Sequence, residues 1–291
     1  MQQKIDADLG AARAAVEAHL AQVLAPFGEG DVAQAMRHAT TGGKRLRACL
    51  VMASARLHGV PQSAAIWPAT AIEAMHAYSL VHDDLPCMDD DDARRGQPTV
   101  HVKWDEMTAV LTGDALQALA FELAVHPKVG GADVRADLVL SLARAAGAQG
   151  MVLGQALDMA AERPGAELTL DQISALQQGK TGALFEWSAA AGARMAGGDP
   201  APLIRYAAAM GQAFQIHDDV IDVTGDAAAA GKAVGKDAAA GKATFVSLLG
   251  LEGARARAAA LVDDAIGALS VYGEGADPLR RIARFAISRD S

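Results

Sequence analysis

The stretch "AIEAMHAYSLVHDDLPCMDDDDARRG" (71–96) runs from an apolar segment into six aspartates within ten positions, then ends on Arg94, Arg95 and a glycine. Like charges at that density repel: two carboxylates 4 Å apart cost about 4 kcal/mol at an effective dielectric of about 20. Acidic runs are most often solvated loops. Here the flank argues otherwise, because Ile72, Met75, Tyr78 and Leu80 carry helical spacing and set the acids at the inner end of a packed helix. Clustered carboxylate oxygens suit the hard cations Mg2+ and Ca2+. An EF-hand loop is excluded, since no aspartate start places both the required glycine and the closing glutamate. Mg2+ keeps waters and bridges to phosphate oxygens, so carboxylates beside Arg94 and Arg95 point to a diphosphate.

Working outward, the 291 residues are 51% hydrophobic and only 4% aromatic, with alanine throughout. Alanine is the best helix former and β-branched runs are scarce, so closely packed helices are expected over a sheet. Breaks are predicted at 25–31, 57–63, 126–133, 162–167, 196–202 and 272–278, each short. The expected fold is all-α: a single domain over 1–291, a bundle of long helices around a cavity. "MQQKIDADLG" (1–10) is polar and carries no apolar signal segment. No apolar run approaches a membrane span. Two cysteines, Cys49 and Cys87, are too few for a disulfide framework, are read as packing residues, and leave a cytoplasmic location as the expectation. The net charge of -9 argues against a nucleic-acid partner.

A second acidic motif answers the first. In "GQAFQIHDDVIDVTGD" (211–226), Asp218 and Asp222 are four apart and share a helix face, with Asp219 beside them. In the first motif Pro86 disrupts the helix and makes Asp89 a partner for Asp83 and Asp84. Two such motifs predict two carboxylate walls on one cavity. "TTGGKRLR" (40–47) presents glycines and then Lys44, Arg45 and Arg47, an anion cradle. "QQGKTGAL" (177–184) fails as a P-loop, because Ser174 stands where the first glycine belongs and no strand precedes it. Lys180 and Thr181 remain as a phosphate and a hydroxyl contact. Lys232 and Lys242 lie in the Ala/Gly stretch 226–244, a surface loop that could close as a lid.

The pair DDLPCMD and DDVID, with GGKRLR upstream, RRG after the first motif and KTGAL between, resembles the trans-isoprenyl diphosphate synthases, most closely their bacterial farnesyl type. "GDALQALAFE" (113–122) and "GQALDM" (154–159) are also similar to that family. The resemblance implies the isoprenoid synthase fold, mostly antiparallel helices, and a homodimer. It implies an enzyme joining isopentenyl diphosphate to dimethylallyl and geranyl diphosphates, giving farnesyl diphosphate. Asp83, Asp84, Asp89, Asp218, Asp219 and Asp222 would hold Mg2+. Arg94, Lys180, Lys232 and Lys242 would contact the allylic diphosphate. Gly43, Lys44, Arg47, His76 and Arg95 would form the isopentenyl diphosphate pocket. Thr181 and Gln215 would point their dipoles at the allylic cation, and Lys180, through its diphosphate contact, would be catalytic with them. Arg289 would help to close the site, and His82 and His217 would support the aspartates.

Asp90, Asp91 and Asp92 are expected to be solvated. Tyr78 stands five residues before Asp83, roughly 7.5 Å along a helix axis, where an aromatic ring would stop a growing prenyl tail; Ser79 is too small to do so. The sequence departs from the family's pattern at Ala48, where proline is common, and at "HAT" (38–40), where an aromatic is common; neither change removes a charge. The alternatives are a geranylgeranyl or longer-chain synthase, a terpene cyclase and an inactive regulatory subunit. The intact DDVID and GGKRLR favour the synthase.

Overall fold

The computed structural model describes residues 2–161, 168–224 and 244–288. Lys232, Lys242 and Arg289, most of the stretch 226–244 and the predicted break at 162–167 lie outside the described residues. The all-α expectation holds: among the described residues the only strands are two of two residues each. Backbone contacts divide the chain into two compact units, Gln2–Leu140 with Ala191–Gly198, and Ser141–Ala190 with the chain from Asp199 on.

The first unit holds α1 (Gln2–Leu24), α2 (Asp31–Ala39), α3 (Leu46–Leu57), α4 (Gln62–Asp83), the strands β1 (Ala93–Arg94) and β2 (Gln97–Pro98), α5 (Val100–Lys103), α6 (Glu106–Ala124) and the start of α7 (Ala132–Ala146). Helix α4 is its centre and packs on α1, α3 and α6. Its buried face carries Ile72 and Met75 among alanines at 65, 69, 71, 74 and 77. Small side chains let the helices approach closely. Where residue 192 meets α3, Ser54 Oγ accepts the Gly192 N–H at 3.1 Å, and a Cβ on residue 192 would run into the Ser54 backbone.

The acid run begins where α4 stops. Pro86 prevents continuation, Asp84 caps the helix, and the Asp89 N–H returns to the Asp83 carbonyl at 2.8 Å. The chain then pairs Ala93 with Pro98 and Arg94 with Gln97. Arg95 (φ 53°) and Gly96 (φ 73°) form the two-residue turn. Positive φ at both positions is what a tight hairpin of right-twisted strands requires, which explains the glycine after the two arginines.

The second unit holds α8 (Met151–Ala161), α9 (Leu170–Gln177), a π-helical turn (Gln178–Gly182), most of α10 (Ala183–Met195), α11 (Ala201–Thr224), α12 (Phe245–Ala268) and α13 (Asp277–Ala286). Helix α11 lies along α12, and its buried Tyr206 donates its hydroxyl to the Leu279 carbonyl of α13 at 2.8 Å. The buried Trp187 donates its indole N–H to Ser141 Oγ at 3.1 Å. No helix among the described residues is long and apolar enough to cross a membrane.

Candidate active site

In the first unit the glycine-rich loop before α3 meets α4 and the arginine hairpin. Arg45 is the N-cap of α3 in left-handed conformation (φ 55°, ψ 34°). Its guanidinium donates to Glu73 Oε2 at 3.2 Å and to the Thr40 carbonyl. A Cβ at Gly43 would stand 2.9 Å from the Arg95 Cζ, so glycine there lets that guanidinium lie against the loop. Arg95 also donates to the Thr41 carbonyl at 3.2 Å. Burial, opposed by Glu73 and aided by Arg95, lowers the Arg47 pKa to about 10. His76 is held well below its ordinary 6.5 by burial, then by Arg47, Arg95, Arg94 and Arg45, so it is neutral at pH 7. The structure therefore brings Gly43, Arg47, His76 and Arg95 into one corner, with the exposed Lys44 on the same loop. A pocket of about 160 Å³ opens in this unit, lined by Thr41, Gly42, Asp84, Arg94, Arg95 and Thr99 among others.

The acid turn adjoins it. Arg94 clamps Asp84 through Nε at 2.6 Å and Nη2 at 2.5 Å, and reaches Asp91 at 3.2 Å. Asp84 is 4% exposed. Burial raises its pKa, Arg94 lowers it, and the neighbouring Asp91 and Asp89 raise it again. Asp90 and Asp92 are exposed as expected, but Asp91 is half-buried, because Arg94 holds it. Cys49 is buried whereas Cys87 is exposed on the turn, so only the former packs.

Two residues of α4 face α6. His82 Nε2 lies 3.0 Å from the Val110 carbonyl, in space that a side chain at Gly113 would fill. The contact seats the ring between α4 and α6. Tyr78 is buried, meets the His82 ring edge-on at 5.6 Å, and is hydrogen-bonded to Gln117. Ser79 Oγ donates to the His76 carbonyl at 3.0 Å.

In the second unit Asp218, Asp219 and Asp222 lie on α11. Asp219 Oδ2 accepts the Phe245 N–H at 2.8 Å and so anchors the start of α12. Lys180 and Thr181 stand in the π-helical turn, a geometry that recurs at functional sites. Lys180 Nζ pairs with Asp158 Oδ2 of α8 at 2.5 Å. Helix α8 comes this close because Gly154 lacks the Cβ that would strike the Lys180 backbone nitrogen. Gln215 donates to Gln177 Oε1 at 3.0 Å, just before the π turn. Across that turn Gln178 donates to Glu186, whose pKa burial pushes up to about 7.

Among the described residues no three His, Cys, Asp or Glu side chains are gathered into a ready metal cluster. Mg2+ takes one or two carboxylates and completes its shell with waters and phosphate oxygens, so an all-carboxylate donor set fits it without such a cage. Sequence reading missed Asp158 and Glu73. Asp158 lay unmarked inside "GQALDM", and Glu73 stood one helical turn before His76 on the same face.

The polyprenyl synthetase family model matches residues 30–271. Farnesyl diphosphate synthase of Escherichia coli (strain K12) is 43% identical, the alignment covering 99% of this chain and 98% of that protein. Farnesyl diphosphate synthase of Geobacillus stearothermophilus is 40% identical, with 89% of each chain covered. Among solved structures, an FPP/GFPP synthase from Zymomonas mobilis superposes with a TM-score of 0.90 at 46% identity, covering 99% of this chain and 100% of that one. A geranyltransferase from Helicobacter pylori, complexed with magnesium and isoprenyl diphosphate, gives 0.77 at 35% identity, covering 88% of this chain and 86% of that one. Fold, motif order and likeness over nearly the whole length agree, and the chain belongs to the polyprenyl synthetase family.

Proposed function

We propose that this protein is a prenyltransferase that condenses isopentenyl diphosphate with dimethylallyl and geranyl diphosphates to give farnesyl diphosphate. The observation that carries the reading is the corner of Arg45, Arg47, Arg94 and Arg95 around a neutral His76, directly beside the acid turn. Four guanidinium groups in one corner suit a ligand bearing several phosphate oxygens, with Glu73 and Asp84 holding Arg45 and Arg94 in place. Gly43, Lys44, Arg47, His76 and Arg95 bind isopentenyl diphosphate, whose phosphates do not react. Arg94 and Lys180 contact the allylic diphosphate, and Lys232 and Lys242 are assigned to it as well.

Mg2+ held by Asp83, Asp84 and Asp89 and by Asp218, Asp219 and Asp222 would neutralise the charge that grows on the departing diphosphate. The allylic C–O bond breaks, and its electron pair leaves with the diphosphate. Thr181 and Gln215 turn their dipoles toward the resulting cation, and Lys180 binds the leaving group. The double bond of isopentenyl diphosphate attacks the cation to form the new C–C bond. The attack leaves a cation on the isopentenyl unit. A C–H bond beside it then breaks, its electron pair forms the new double bond, and the proton passes to the released diphosphate. The tail extends along α4 until Tyr78, held by Gln117 and His82, stops it. A cytoplasmic homodimer belongs to the same reading.

The test is turnover of geranyl and isopentenyl diphosphates, with and without Mg2+. Activity is expected only with the metal. Asp83→Ala and Asp218→Ala are each expected to lower turnover at least about a hundredfold while circular dichroism keeps its helical signal. Near-normal turnover in either variant would sink the assignment of the metal ligands.

A further inference from the structure

Helix α3 begins without a cap of its own. Helix N-termini leave N–H groups unsatisfied, and Ser, Thr, Asp or Asn usually supplies the acceptor. Here the N-cap is Arg45, in left-handed conformation, with no capping side-chain bond and no acidic residue in the first turn. A guanidinium has no acceptor to offer. The missing acceptor comes from α4, where Glu73 Oε1 takes the Ala48 N–H, the third of the helix, at 3.0 Å. Its other oxygen holds the N-cap side chain itself, Arg45 Nη1, at 3.2 Å. Glu73 is 3% exposed, and a carboxylate that far from water is tolerated only when paired and hydrogen-bonded. Arg47 and Arg95 also feel its charge.

The residues that Glu73 fixes in place bracket the proposed ligands. Lys44 immediately precedes the N-cap, and Arg47 is the second residue of the helix. His76 shares the α4 face of Glu73 one turn further on. We propose that Glu73 is a positioning residue of the isopentenyl diphosphate pocket: it caps α3 from a neighbouring helix and thereby sets Lys44 and Arg47 against the anion. The inference rests on reading Gly43, Lys44, Arg47, His76 and Arg95 as that pocket. Glu73 touches no substrate and acts through the loop.

Steady-state kinetics on Glu73→Ala and Glu73→Gln, with Lys44→Ala in parallel, test it, and thermal melts accompany each variant. Glu73→Ala is expected to raise the KM for isopentenyl diphosphate about tenfold, leaving kcat and the KM for geranyl diphosphate within about twofold. Glu73→Gln has one acceptor oxygen and no charge, so its KM should fall between wild type and Glu73→Ala. A core role alone would lower the melting temperature without moving one KM apart from the other. Wild-type KM values in both Glu73 variants would overturn the proposal, as would a joint shift of both substrates' KM. If Glu73→Ala does not fold, Glu73→Gln carries the test, and loss of the fold in both assigns Glu73 to the core and overturns the proposal. Should Lys44→Ala leave the KM for isopentenyl diphosphate unchanged, the pocket itself is misread. If Lys44→Ala raises it and neither Glu73 variant does, only the role of Glu73 falls.

Discussion

His76 is an imidazole surrounded by arginines, and its charge state follows from that company. Burial and four guanidinium groups lower its pKa in the folded protein. In the unfolded chain it titrates near the ordinary 6.5. As the pH falls below that value, the unfolded chain takes up a proton that the folded protein refuses, and stability falls. The expected result is that, between pH 7.5 and 5.5, wild type loses more melting temperature, or gains less, than His76→Gln. Glu186, pushed up to about 7, and Asp84, with its raised pKa, work in the opposite direction in both proteins, so the difference between wild type and variant is the quantity to compare. Equal changes would show that His76 does not carry the effect. Single residues were legible in the sequence where a motif marked them. Gly43, Arg47, His76 and Arg95 meet as the resemblance implied. Glu73 was not, because a lone glutamate in an apolar helix looks like any other until the partner it caps, 25 residues away in the chain, is seen beside it.

At the scale of elements, turn chemistry was readable and side-by-side packing was not. Pro86 fixed the end of α4, and Arg95-Gly96 required a tight turn. The π-helical turn over Gln178–Gly182 left no local signature, since it depends on contacts from α8 and on the bond between Gln178 and Glu186. The place of His82 against α6 was not legible for the same reason: it follows from the missing Cβ at Gly113. Gly154 is the corresponding point for α8. A methyl group there would strike the Lys180 nitrogen and push α8 from the π turn. Gly154→Ala is expected to destabilise the protein by about 1–3 kcal/mol, as overpacking does, and to lower kcat by displacing Lys180 and Thr181. Urea unfolding and turnover check both, and a variant with wild-type stability and kcat would show that α8 yields freely.

For the whole molecule, composition and the order of motifs were sufficient for fold and family, because alanine-rich helices and two spaced acid motifs are long-range regularities of the chain. The division into two compact units was not visible, since the breaks between helices are all short and of similar composition. The proposed activity makes its sharpest claim about where synthesis stops. The most direct measurement supplies purified wild type and Tyr78→Ser with Mg2+, labelled dimethylallyl diphosphate and excess isopentenyl diphosphate, and resolves the products by chain length. Wild type is predicted to accumulate farnesyl diphosphate, and Tyr78→Ser to run on to geranylgeranyl diphosphate or beyond. Geranylgeranyl or longer products from wild type, or no condensation at all, would contradict the account.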